Sequence, residues 1–437
     1  MPVEVAKVVL WGKVIGAVAW DPTRKLASFE YVKAFQESGI ELAPLTMPLG
    51  PTVYSFPELN PETFQGLPGM LADSLPDKFG NILIDEWLVR TGRDRASFSP
   101  IERLCYVGNR GMGALEYWPT IRTGPNRSVP VDISSLVELA TKALLEKDSL
   151  STRIGKSADE DLETMRDILR VGTSAGGARA KAVIAWNEST GEVRSGQIQA
   201  PDGFGYWLLK FDGVSGNRDK ELEDPKGYGA IEYAYYLMAR EAGIDMHACR
   251  LFEENDRRHF MTRRFDRDQD GRKIFMQTLC GLAHLDFNRA GGTGYEQALD
   301  ICQRLDLPRS DLHQLFRRMV FNVIARNQDD HTKNIAFLMD KEGRWSLSPA
   351  YDITFSFNPN GTWTHHHQMT INGKLDDFEI ADFHAVSKRF RIASTTKVTE
   401  IIEAVSDVLE QWPKFAGEAG VSKTWIHQIQ KTHRHLK

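Results

Sequence analysis

The run Asp329-Asp330-His331-Thr332-Lys333-Asn334 is followed, seventeen residues after Asn334, by Tyr351-Asp352. Phosphoryl transfer needs a carboxylate beside the attacking hydroxyl and oxygen ligands for hard magnesium ions, typically an Asn and a second Asp. The D-x-x-x-x-N spacing and the later Asp fit that division. Asp329 would orient or deprotonate an acceptor, and Asn334 and Asp352 would carry Mg2+. The plain alternative is an acidic turn capping a helix, since the spacing alone recurs by chance.

Three further segments suit a nucleotide. Thr173-Ser174-Ala175-Gly176-Gly177-Ala178-Arg179-Ala180-Lys181 is a glycine-containing turn between a helix and a strand. Glycines allow backbone N–H groups to approach phosphate oxygens closely, though a tight turn after a helix has the same composition. Lys210 ends the apolar strand Tyr206-Trp207-Leu208-Leu209. It could meet phosphates, steadied by Glu232 on the next helix, or snorkel to the surface. The run Phe260 to Arg267 reads as a strand suited to an adenine-contacting connection, where backbone groups do the reading; an ordinary core strand fits equally.

Other signals are declined. Asp266-x-Asp268-x-Asp270-Gly271 imitates an EF-hand loop, but Gln277 stands where a bidentate Glu is needed, so a charged hairpin turn is the better reading. Gly155-Lys156-Ser157 lacks the first P-loop glycine, Leu150 being in its place. In His365-His366-His367, consecutive side chains on a strand point to opposite sides and do not converge on a metal.

These residues need elements to hold them. Leu312, Leu315, Phe316, Met319, Val320, Val323 and Ile324 follow the i, i+3, i+4, i+7 rule, which predicts a buried helix ending at Asn327 to Asp330. Short β-type runs at Lys7 to Trp11, Val14 to Trp20 and Ala114 to Trp118, with a helix from Asp77 to Thr91, predict a small α+β unit. Thr123 to Pro130 reads as a linker, Ile133 to Glu146 as a helix, and Lys147 to Glu163 as a mobile loop. Strands are expected at Ala182 to Trp186 and Gly205 to Phe211, and a helix from Gly227 to Gly243. The last sixty residues are expected to hold two helices.

Composition sets the frame. The chain has 437 residues, 41% hydrophobic and 26% charged, which suits a multidomain globular protein rather than a disordered one. A formal charge of -5 argues against nucleic-acid binding by the whole surface. Cys105, Cys249, Cys280 and Cys302 form no CxxC pair, so a reducing compartment, the cytoplasm, is expected. The start of the chain reads as a hairpin rather than a signal peptide, and no membrane-spanning run is present.

Taken in this order, the pieces resemble the HipA family of serine/threonine kinases over nearly the whole chain. Phe64 to Asp77, ending in Ser74-Leu75-Pro76-Asp77, is similar to the family's F-x-x-L-L-P-D-S stretch, and Gly108 to Leu115 to its G-x-D-x-x-G-A-L stretch. Ser174 to Lys181 resembles the S-x-x-G-x-x-x-K loop. The resemblance implies that Ser174 is autophosphorylated, and that Gly176, Gly177, Ala178, Arg179, Ala180 and Lys181 contact ATP phosphates. It further implies that Lys210 binds phosphate, that Arg263, Arg264 and Phe265 form the adenine connection, and that Asp329, His331, Lys333, Asn334, Tyr351 and Asp352 form the catalytic and nucleotide segment. The loop departs from the A-G-A-Q-x-K pattern, and Arg263 replaces an acidic residue, which bears on nucleotide affinity and loop switching.

The expected fold is α+β: an N-terminal subdomain over 1–125, then a two-lobed protein-kinase-like body. Its nucleotide-binding lobe covers 126–296 and its mainly helical catalytic lobe 297–437, with ATP in the cleft between lobes. The implied activity is Mg2+-dependent transfer from ATP to a serine or threonine. Implied partners are a small helix-turn-helix antitoxin like HipB, which carries most DNA contact, and a translation-related substrate such as an aminoacyl-tRNA synthetase. The competing readings are a catalytically silent co-repressor, a metal-dependent hydrolase using Asp329, Asp330 and His331, and a small-molecule kinase.

Overall fold

A computed structural model describes residues 2–121, 130–146, 179–214 and 226–436. The expected loop at 147–163 and the expected site residues Ser174, Gly176, Gly177 and Ala178 lie outside them. The chain forms two compact units, one of Met1–Arg218, Glu223–Lys226 and Phe252–Met276, the other of Asp219–Leu222, Gly227–Leu251 and Gln277–Lys437.

In the first unit, strands β1 (Val5–Leu10), β2 (Lys13–Asp21), β3 (Leu26–Tyr31) and β4 (Leu115–Trp118) form an antiparallel sheet in the order β3-β2-β1-β4. The hairpin expected at the start of the chain is present: Leu10 pairs with Lys13 across Trp11 and Gly12, whose φ values are 48° and 80°. Two positive φ angles in a two-residue loop match the right-handed twist of the flanking strands. The helix Pro100–Val107 follows a capping box of Ser99 and Glu102.

The second sheet of this unit comprises β5 (Lys181–Trp186), β6 (Val193–Ser195), β7 (Gly205–Lys210), β8 (Cys249–Glu254) and β9 (Arg257–Arg263), ordered β6-β5-β7-β9-β8. The helices Lys78–Arg90 and Ile133–Glu146 bury Phe79, Leu83, Ile133 and Val137 against Ala182, Ile184 and Leu209 of the sheet. Burial of this continuous apolar face is what anchors β5 and β7 and the lysines that they carry.

Past β9 the chain makes the predicted charged turn, where Asp268 Oδ1 accepts from the N–H groups of Asp270 and Arg272. Asp266, read in sequence as part of that turn, is instead fully buried. It accepts from Arg264 Nη2 at 2.7 Å, Arg267 Nη1 at 2.7 Å and Gly113 N at 2.6 Å. Both guanidiniums also reach the Gly111 carbonyl, which ties the loop Gly108 to Leu115 to the end of β9. Burial alone pushes the Asp266 carboxyl up, but the two arginines and the Gly113 N–H override it and hold it far below the ordinary range.

The second unit is mainly helical. The predicted amphipathic helix is present as Arg309–Ile324, with Leu315, Phe316, Met319, Val320 and Val323 wholly buried. The end of the chain corrects the expectation of two helices: four are present, Ile380–Phe390, Thr395–Glu410, Trp412–Glu418 and Lys423–Gln430. Ile380–Phe390 starts from Glu379 paired reciprocally with Asp382, an acidic variant of the usual capping pair, and Trp412–Glu418 has Pro413 in its first turn, where proline starts a helix rather than breaking one.

After the last helix the chain returns to the Arg309–Ile324 helix, where Arg434 N donates to the Ile324 carbonyl. His433 packs against Tyr235 and Trp412. Burial, assisted by His435 and Arg326, pushes its imidazole down to about 4. Its folded-state pKa is below its unfolded one, so the unfolded chain binds the extra proton first. Stability is therefore expected to fall as pH drops from about 6.5 to about 4, by roughly 2–3 kcal/mol from this residue. Denaturant melts of wild type and His433→Gln across that window check it: the variant should have the flatter acid limb.

Candidate functional site

The helix Arg309–Ile324 delivers the chain to Arg326, whose φ of 58° ends the helical path and turns it into the segment Asn327 to Asn334. A short 3-10 turn, Thr332–Asn334, closes that segment before the strand Ala336–Met339. Thr332 Oγ1 donates to the Leu285 carbonyl, and Tyr351 Oη donates to the Lys333 carbonyl at 2.5 Å. The second bond brings the Tyr351-Asp352 segment onto the Asn334 turn.

The second unit thereby brings together most of the residues singled out in its sequence. Asp330, His331, Asn334, Tyr351 and Asp352 line one cavity with Tyr295, Arg318, Asn322 and Asn327. Asn334 Nδ2 donates to the Asp329 carbonyl at 2.7 Å, so the acceptor atom of the amide, Oδ1, is the one that could meet a cation. Asp352 has a φ of 52°, left-handed backbone that a non-glycine residue adopts at a cost in energy. Two oxygen-bearing side chains on one cavity suit a hard cation that keeps water and phosphate oxygens in its shell. Among the described residues there is no cluster of three or more His, Cys, Asp or Glu that could by itself cage a metal.

The adjacent aspartates have opposite environments. Asp329 keeps 38% of its side chain exposed. Its Oδ1 accepts from Trp363 Nε1 at 2.8 Å and lies 3.7 Å from His331 Nε2. Loss of water to the protein packed around it pushes its carboxyl up, with Asp352 and Asp330 adding to the rise while His331 and the indole oppose it. Asp330 is buried and accepts from Tyr295 Oη and His367 Nδ1 at 2.9 Å each and from Gln368 N at 2.8 Å. Burial again acts upward there, but these partners win and hold the carboxyl below its ordinary range. Hydrogen bonds that favour the ionised form make Asp330 a brace. Only Asp329 remains open to an incoming hydroxyl. That division disfavours a hydrolase in which both aspartates act.

His331 stacks obliquely on Phe287, and Lys333 holds its ammonium 4.5 Å above the same ring. Of the three consecutive histidines, His365 is exposed while His367 is buried on Asp330. Sequence reasoning missed Trp363, His367, Tyr295 and Asn322. Their partners lie about 30 residues away in the chain, and no local spacing announces such pairings.

In the first unit Lys181 and Lys210 are directly opposite one another on β5 and β7, and both are buried. Lys181 Nζ is 3.3 Å from Asp77 Oδ2, and Lys210 Nζ lies 5.7 Å from the Phe260 ring centre. Cross-strand neighbours of like charge destabilise a sheet unless an anion faces them. Arg179 and Ala180 lead into this end of β5. Arg263 is exposed at the end of β9, Arg264 spends its side chain on Asp266, and Phe265 is buried. Glu232 is buried in the helix Tyr228–Glu241 of the second unit.

The HipA N-terminal domain model matches residues 6–118, and the HipA-like C-terminal domain model matches residues 173–412. "Putative kinase Y4mE" of Sinorhizobium fredii is 24% identical over 299 residues, 63% of this chain and 63% of that protein. A "Putative kinase" of Haemophilus influenzae is 27% identical over 135 residues, 28% of this chain and 39% of that protein. The chain thus spans less than two thirds of the length of these curated relatives. Among solved structures, HipA from the Shewanella oneidensis toxin–antitoxin complex with HipB and its operator DNA superposes with a TM-score of 0.66 at 15% identity, covering 98% of this chain and 95% of that one.

Proposed function

Because the chain belongs to the HipA family, we propose that it is a serine/threonine protein kinase that uses ATP and Mg2+ and is the toxin of a toxin–antitoxin pair. The observation that carries the reading is the convergence of Asp329, Asn334 and Asp352 in one unit, with Asn334 hydrogen-bonded to the Asp329 backbone and lining the same cavity as Asp352. The two relatives named as kinases support the same class of chemistry.

In this proposal Asp329 accepts the hydrogen bond of a serine or threonine hydroxyl and takes its proton as the oxygen attacks the γ-phosphorus. Asn334 and Asp352 hold Mg2+, which when bound offsets charge on the phosphate oxygens. Lys333 adds positive charge beside Asn334, and Tyr351 fixes the spacing between the two ligand segments through the Lys333 carbonyl. Lys181 and Lys210 are assigned to phosphate oxygens, Gly176 to Ala180 to backbone contacts with them, and Arg263 to Phe265 to the adenine through main-chain groups. In the proposed division the N-terminal subdomain ends near 125 and the nucleotide-binding lobe near 296.

Ser174 is proposed as the autophosphorylation site. A phosphoserine adds about two negative charges to a loop that cradles phosphates, so repulsion would expel the loop and switch the enzyme off. A HipB-like antitoxin that carries the DNA contact is the proposed partner; the matched Shewanella protein was solved with HipB and operator DNA. A translation-related protein such as an aminoacyl-tRNA synthetase is the proposed substrate, and the cytoplasm the proposed location. Among the described residues no helix is long and apolar enough to cross a membrane.

The test is incubation of the full chain with γ-labelled ATP and Mg2+, followed by phosphosite mapping. Label on Ser174, with activity that decays in wild type but persists in Ser174→Ala, is expected. ATP binding with no label on any protein would replace this reading with the silent co-repressor.

A further inference from the structure

The segment Trp363 to Gln368 reaches the catalytic turn from more than thirty residues downstream and is held at both ends by the two adjacent aspartates. At its far end, Asp330 takes the imidazole N–H of His367 and the backbone N–H of Gln368. Gln368 then folds the segment on itself, its Nε2 donating to the carbonyls of Trp363 at 2.6 Å and His366 at 3.2 Å. It also reaches the Gln328 carbonyl at 3.3 Å, one residue before Asp329. At the near end the Trp363 indole N–H meets Asp329 Oδ1 at 2.8 Å.

This arrangement makes a carboxylate with two unlike oxygens. Oδ1 receives the indole and faces His331, while among the described residues no hydrogen bond reaches Oδ2. A carboxylate free to rotate about its last torsion offers either oxygen to an acceptor; one with Oδ1 anchored offers Oδ2 in one direction. The anchor is itself rigid, because Asp330 is buried and accepts three hydrogen bonds. Asp330 is further linked through Tyr295, Asn322 and Asn327 to the Asp352 carbonyl. The segment that follows Asp352 in the chain thus returns to set the carboxylate that works beside it.

Resting on the kinase reading above, we propose that Trp363 is a positioning residue: its indole N–H fixes Asp329 so that Oδ2 receives the acceptor hydroxyl, and the Asp330-held segment 363–368 is the device that places it. The assignment gives Trp363 a hydrogen bond to Asp329 and no role on the nucleotide or the cation. Its loss therefore acts on the transfer step and leaves nucleotide binding alone.

The experiment uses the full chain as its own acceptor, with γ-labelled ATP and Mg2+, and compares wild type with Trp363→Phe and Trp363→His. Losing a hydrogen bond to a charged group is expected to lower kcat about tenfold in Trp363→Phe with KM for ATP unchanged. Trp363→His, which keeps a ring N–H, is expected to recover part of the loss. Wild-type kcat in Trp363→Phe overturns the proposal, as does an equal loss in both variants accompanied by lowered melting temperatures, which marks a packing role. A second readout does not depend on transfer at all. The Trp363 indole N–H resonance, assigned by its disappearance in Trp363→Phe, should move upfield in Asp329→Ala. If wild type transfers no phosphate yet the resonance moves, the kinase reading fails while the Trp363–Asp329 contact stands. A resonance that stays in place overturns the proposal.

Discussion

Asp329→Ala is expected to reduce phosphoryl transfer by about 10²–10⁴-fold, the usual contribution of a positioned general base. Its melting temperature should stay near that of wild type. The argument is geometric: the contacts that hold this turn run through the Asp329 carbonyl, the Asp330 carboxylate and the Thr332 hydroxyl, none of which the substitution removes. Asp329 contributes only a partly exposed carboxylate whose bonded partner is an indole N–H. Single-turnover transfer from labelled ATP, read beside ATP affinity, makes the distinction. Lost transfer with retained ATP binding supports the assignment. Retained transfer would mean that another group receives the acceptor proton, and the whole catalytic assignment of this turn would have to move.

The second large effect concerns stability. Asp266→Ala is expected to destabilise the first unit by about 3–5 kcal/mol, because it leaves the buried guanidiniums of Arg264 and Arg267 without their carboxylate. The same change frees the Gly113 N–H and loosens the Gly111 to Gly113 turn that the triad holds. Replacing an arginine as well removes part of the uncompensated charge. The double variant Asp266→Ala with Arg267→Met should therefore lose less than the two single changes added together. Chemical denaturation of the three variants reads this directly, and additive losses would show that the triad does not act as a unit.

How much of this was legible beforehand depended on distance along the chain. The helix Arg309–Ile324 follows from its apolar spacing, and the Asp329 to Asn334 turn from the spacing of its polar groups; both are local patterns. The hairpin at Trp11-Gly12 was legible for the same reason. Asp330 and Asp266 were not, although both were in view as carboxylates. Whether an aspartate is a brace or a working group is decided by what reaches it from elsewhere. For Asp330 that is His367 and Tyr295, and for Asp266 it is Gly113, 153 residues away. No spacing in the sequence singles out Trp363, and its indole contact with Asp329, 34 residues earlier in the chain, is what distinguishes it. The helix Trp412–Glu418 escaped because it is short and carries Pro413, which reads as a break unless its first-turn position is known.

The order in which the strands of the five-stranded sheet are made has a consequence for biosynthesis. β7 pairs on one side with β5, which precedes it, and on the other with β9, which follows a helix assigned to the other unit. A ribosome adding roughly 5–20 residues per second leaves Lys210 several seconds ahead of Arg263. Throughout that interval the nascent chain carries β7 as an open edge of apolar residues ending in a lysine. Such an edge invites pairing with a neighbouring chain on the same messenger. The four-stranded sheet of the first unit has all its strands once β4 ends at Trp118, whereas the five-stranded sheet waits for β9, so the β7 edge is the stretch of this chain most open to mispairing during synthesis.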